Sequence, residues 1–131
     1  MANCRICGRN GCDRHHIIHR CENGLDAQFN LVDLCPAHHR GPHGVHNNPE
    51  LDLHLKIEMQ KKLEDMFPKR YYTAEEIRDI ADLRYSQIRK FEKGNRLHKY
   101  GYDRNDIIFY LMGGNTYRYD YLDDLSVAQS Y

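Results

Sequence analysis

His15-His16-Ile17-Ile18, then Asn30-Leu31-Val32-Asp33-Leu34-Cys35, then Pro36-Ala37-His38-His39: the reading of this 131-residue chain turns on these three runs. His16-Ile17-Ile18 and Asn30 to Leu34 are short and apolar, and Gly24 and Pro36 punctuate them. The spacing therefore predicts two strands of a hairpin. Working outward, Cys4-x2-Cys7 and Cys35-x2-His38 form two clamps separated by 27 residues. Each puts two soft ligands on one tight turn, as a tetrahedral zinc site requires. Disulfides are the competing use of cysteine, but five is an odd number and no secretory signal is expected at Met1-Ala2-Asn3-Cys4-Arg5. A redox pair would need a βαβ setting that the pattern lacks. Cys4, Cys7, Cys35 and His38 are thus expected to close on a structural Zn2+, stapling a lobe too small to hold itself together. Cys12 and Cys21 are left as free thiols.

Seven of the nine histidines precede residue 50. Neighbouring strand residues point to opposite faces, so His15 and His16 should divide their work, one binding metal and the other addressing a water or the substrate. Asn30, fourteen residues after His16, suits the facing strand. Its amide carbonyl could accept the His16 Nδ1–H and leave Nε2 free as a base, an orienting role like that of a triad's third member. His39, His43 and His46 surround the turn into the next element.

Further along, Leu51, Leu55, Met59, Leu63 and Met66 recur at helical spacing, with Pro49 suited to the first turn and Pro68 to the stop. Thr73 and Glu76 form a capping-box pattern for a helix from Ala74. A second helix is expected over Tyr85–Lys93, and a last one over about Arg104–Met112 behind an Asp103 cap. Nineteen basic and nineteen acidic residues cancel, yet residues 69–104 carry ten basic against six acidic, a stretch able to face a polyanion. No apolar run approaches the length of a membrane span. The Tyr117-Tyr119-Tyr121 alternation suggests an exposed tail or a docked strand, and residues from Ser126 are expected to fray.

The ordered set His15-His16, Asn30, His38-His39, with its cysteine clamps, resembles the HNH (His-Asn-His, ββα-metal) endonucleases in their zinc-stapled phage-type form. The likeness covers about residues 4–67, and the run from Cys35 through His43-Gly-Val-His46 to Leu53 is similar to small phage members. The resemblance implies that His15 and His39 bind a catalytic metal, that His16 is the general base, and that Asn30 orients it. A third ligand would be His46 or His43; Gly41-Pro42 and Gly44 argue against the helix that a four-residue step to His43 needs. The implied activity is metal-dependent hydrolysis of DNA phosphodiesters, by nicking or double-strand cleavage, leaving a 5′-phosphate and a 3′-hydroxyl. Mn2+, Mg2+, Ni2+ or Zn2+ would be the catalytic ion, and Arg14, Arg20 and Arg40 would touch phosphates.

More weakly, Thr73 to Gly114 resembles helix-turn-helix modules of the excisionase or MerR type, which implies Gln87, Arg89 and Lys90 as DNA contacts. The expected architecture is α+β: a zinc-stapled ββα-metal lobe over 1–68, then a mainly helical, helix-turn-helix-like lobe over 69–125. The expected partner is double-stranded DNA in the cytoplasm of a bacterial host. A non-catalytic, zinc-containing DNA-binding regulator or packaging adaptor is the alternative.

Overall fold

The computed structural model describes residues 3–119. Strands β1 (Asp13–His16) and β2 (Leu31–Leu34) pair antiparallel, setting His15 opposite Val32 and His16 opposite Leu31. The ladder starts three residues earlier than the apolar run predicted, and Ile17 and Ile18 lie beyond it. Asn30 takes over there. Its backbone carbonyl accepts from Ile17 N at 2.8 Å, and its side chain accepts from Ile18 N at 2.7 Å. The amide nitrogen donates to Ile18 O at 3.0 Å and Leu25 O at 2.8 Å. A fully buried amide thus stands in for a missing strand partner.

A one-turn helix, α1 (Pro36–His39), follows β2, a helix that the sequence pattern did not predict. Proline at its first position has no N–H to waste and arrives with helical φ. Gly41, Pro42 and Gly44 then turn the chain back, so that His46 N donates to His39 O at 3.1 Å. Gly44 is required there, because a Cβ would sit 2.8 Å from the carbonyl oxygens of Ala37 and His39.

Helix α2 (Pro49–Met66) is capped by the Asn48 side chain, which accepts from Leu51 N. Its apolar face buries Leu53, Leu55, Ile57, Met59 and Leu63, and Phe67 just beyond is fully buried.

The second stretch has more helix than strand, as expected, but it is not helical alone. It holds a three-stranded antiparallel sheet of β3 (Tyr71–Tyr72), β4 (Leu97–His98) and β5 (Gly101–Asp103), with β5 in the centre. Strands of two or three residues are too short to leave a periodic signature. Helix α3 (Ala74–Ala81) has the predicted reciprocal cap: Glu76 N donates to Thr73 Oγ1, and Thr73 N to Glu76 Oε1. Asp82, at φ 52°, breaks the chain before α4 (Tyr85–Gly94).

Helix α5 (Arg104–Leu111), capped by Asp103, packs back on α2. Arg104 donates to the carbonyls of Phe67 and Glu64. Beyond α5, Gly113 presses on the Glu22 carbonyl, and Gln60 clamps both backbone groups of Tyr117. Tyr117 is therefore packed, and Tyr119 is 48% exposed. Tyr121, the expected fraying from Ser126 and the end of the second lobe at residue 125 lie outside the described residues. Buried side chains from both stretches form one hydrophobic cluster. Among the described residues no helix is long and apolar enough to cross a membrane.

Candidate metal centres

The first centre is built by the N-terminal turn and the N-terminus of α1. Cys4, Cys7, Cys35 and His38 present four ligand atoms within 4.8 Å of one another. Cys7 Sγ lies 3.7 Å from Cys35 Sγ, and His38 Nδ1 lies 3.6 Å from Cys4 Sγ and 3.3 Å from Cys35 Sγ. A tetrahedron with metal–sulfur bonds of about 2.3 Å has edges of about 3.8 Å, so the donors are spaced for an ion such as zinc. Burial raises the Cys4 thiol, but N–H groups of Cys35, Cys7 and Ile6 and the His38 ring outweigh it and bring it down to about 5. The thiolate, the form that ligates metal, is thus favoured at one corner. Cys12 donates to Arg9 O at 3.1 Å and Cys21 is exposed; neither joins the cluster.

The second centre lies in an open cleft of about 210 Å³ lined by Arg14, His15, His16, His19, Arg20, His39, Arg40 and His46. His15 from β1, His39 from α1 and His46 from the returning segment bring one ligand atom each within 4.8 Å of the others. His43 is exposed and belongs to neither group of histidine ligands among the described residues. Of the two candidates for third ligand, the fold therefore brings His46 to His15 and His39.

His39 is 6% exposed, and its Nδ1 lies 3.0 Å from Asp13 Oδ2. An N–H donated to that carboxylate leaves the Nε2 lone pair facing the cleft. His46 Nε2 is 2.9 Å from His39 Nε2. Two ring nitrogens this close either share one proton or turn both lone pairs on a common cation. His15 Nε2 is buried with no hydrogen-bond partner. Burial, followed by the neighbouring His19, His39, His46 and His16 rings, lowers the His15 pKa to about 3. Burial and then the His39 ring and Arg40 guanidinium also lower that of His46. Neutral imidazoles with inward nitrogens are the form a divalent ion needs.

His16 lies beside this group on the same cleft, half-buried. Asn30 does not orient it, because its amide is fully engaged with the backbone of Ile18 and Leu25. The nearest carboxylate is that of Asp26, with Oδ1 3.4 Å from His16 Nε2, in ion-pair range but without hydrogen-bond geometry. Asp13 and Asp26 escaped the sequence reading, since neither stands at a motif spacing. A second histidine group, His15 with His19 and Asp52, escaped it too.

The arginines differ in their surroundings. Arg14 Nε is 3.9 Å from Asp33, and Arg20 and Arg40 are exposed at the rim. In α4, Gln87 accepts from Arg84 N at 2.8 Å and donates to Asp26 O at 3.2 Å, so its amide is committed to a helix cap and to the first stretch. Arg89 and Lys90 are exposed, and the Arg89 guanidinium lies over the Tyr85 ring. Comparisons with protein families, curated proteins and solved structures found no match.

Proposed function

We propose that this chain is a divalent-metal-dependent endonuclease of the HNH type that hydrolyses double-stranded DNA, with a structural zinc in the Cys4/Cys7/Cys35/His38 cluster. The observation that carries the reading is the convergence of His15, His39 and His46 beside His16 in a cleft rimmed by three arginines. His15, His39 and His46 would hold the catalytic ion. Once bound, that ion supplies Lewis-acid polarisation of a phosphoryl oxygen and stabilises the leaving 3′ oxygen.

The protein's own groups account for the rest. Arg14, Arg20 and Arg40 hold and orient the phosphodiester backbone, because guanidinium forks match phosphate oxygens. His16 accepts a proton from the attacking water, and the Asp26 carboxylate beside its ring stabilises the imidazolium that results. Asp13 keeps His39 in the tautomer with a free Nε2. The products are a 5′-phosphate and a 3′-hydroxyl. Arg89 and Lys90 on α4 add phosphate contacts from the second stretch. The setting is the cytoplasm of a bacterial host, the chain being phage-type.

Supercoiled plasmid incubated with protein and Mn2+ tests the reading, with EDTA and His16→Ala as controls. The expected outcome is nicked or linear DNA, lost with EDTA and slowed about 10²–10⁴-fold by His16→Ala. Cleavage unaffected by His16→Ala removes that residue from its role. DNA retained without a strand break at any divalent metal replaces the nuclease with a binding regulator or packaging adaptor.

A further inference from the structure

Of four buried polar atoms without a hydrogen-bond partner among the described residues, three belong to one group of residues: His15 Nε2, His19 Nε2 and Asp52 Oδ1, the fourth being His16 Nε2. One ligand atom from each of His15, His19 and Asp52 lies within 4.8 Å of the other two, and His15 itself is 3% exposed. Buried polar groups are rarely left unpaired, and three in one place call for a shared partner. That partner is not a simple proton between His19 and Asp52, which stand 3.4 Å apart without hydrogen-bond geometry.

The outward atoms of the two newcomers are already fixed. His19 Nδ1 lies 3.2 Å from Glu22 Oε1, and Asp52 Oδ2 lies 2.9 Å from Lys56 Nζ. Lys56 is 4% exposed and also reaches Glu22 Oε2 at 3.0 Å. An inner atom left open and an outer atom held by a charged neighbour is the arrangement of a metal ligand with its supporting shell.

We propose that His15, His19 and Asp52 bind a divalent cation at a position of their own, beside that of His39 and His46. One ion bonded to all five residues would draw their ligand atoms within about 4.2 Å of each other, twice a typical metal–nitrogen bond. The two groups share only His15, so the geometry describes neighbouring positions. Two imidazoles and a carboxylate make a harder donor set than three imidazoles, and Mn2+ suits it better. His15 offers one inward nitrogen and serves one ion at a time. The position is therefore isolated by disabling the other.

The full chain, with zinc in its cysteine cluster, is titrated with Mn2+, and free Mn2+ is followed by its electron paramagnetic resonance signal. The His39→Ala/His46→Ala variant is expected to keep one Mn2+ equivalent, and adding Asp52→Asn or His19→Ala to weaken it about tenfold or more. A folded double variant that binds no Mn2+ overturns the proposal, as does binding that neither added substitution changes. Should the double variant lose its zinc or its far-ultraviolet circular dichroism, the His46→Ala background decides. With the competing position disabled by His46→Ala alone, Asp52→Asn and His19→Ala must each weaken Mn2+ binding by a similar factor, and unchanged binding overturns the proposal. Metal content, not strand cleavage, is the readout, so the outcome is independent of the nuclease reading.

Discussion

The cysteine cluster and the histidine cleft are set on one hairpin, yet they differ in how many donors each brings together, four against three. In the first, Cys4 and Cys35 are buried, His38 is half-buried and Cys7 is exposed, and the four donors stand within 4.8 Å of one another, enough to complete a tetrahedron by themselves. In the second, buried nitrogens of His15 and His39 open onto a cleft whose rim carries Arg20, Arg40 and the exposed His46. A closed tetrahedral set leaves no place for a substrate, whereas an open one does. The contrast teaches that ligand type alone does not separate scaffold from chemistry. What separates them is whether a donor set ends on itself or on a groove.

The sharpest way to break the contrast is to remove a cluster ligand. Cys35→Ser should unfold the hairpin lobe, since zinc contributes on the order of 10 kcal/mol to peptides of this size. Circular dichroism melts with and without a strong chelator would show it; a variant melting like the wild type would mean that the cluster is not a staple. Asn30→Ala comes next. It strands Ile18 N, Ile18 O and Leu25 O, and should lower the unfolding free energy by about 3 kcal/mol in urea titrations. Because Asn30 does not touch His16, cleavage measured at a temperature where the variant is folded should stay close to wild type. The smallest effect belongs to His46→Ala. Its side chain lies on the surface, so stability should move by no more than about 0.5 kcal/mol while the cleft loses affinity for divalent ions in calorimetry. A large drop in melting temperature there would make the cleft a second staple.

Much of this was readable in the sequence because the ligands of the cysteine cluster sit at fixed short spacings, and a spacing is a local property. The same holds for α2, with its apolar repeat between Pro49 and Pro68, and for the Thr73–Glu76 cap. Asn30 was picked out, but for a partner it does not have. Its actual partners are backbone groups in the loop after β1, which no side-chain pattern marks. Asp26, His19 and Asp52 reach the histidines only through the return of the chain around Gly24 and the docking of α2. Their positions are a matter of tertiary contact, not spacing. The short sheet β3-β5-β4 was invisible because its strands of two or three residues fall short of the roughly four over which a strand alternation can be recognised.

Gly113, at φ 79°, sits so tightly on the turn holding Glu22 that a Cβ would come within 2.3 Å of that carbonyl oxygen. Its lack of a side chain works like a keyway, seating the end of α5 at one fixed setting against the hairpin. The exposed side chains of α3 and α4 are thereby kept at a set offset from the histidines, as a jig holds its stock.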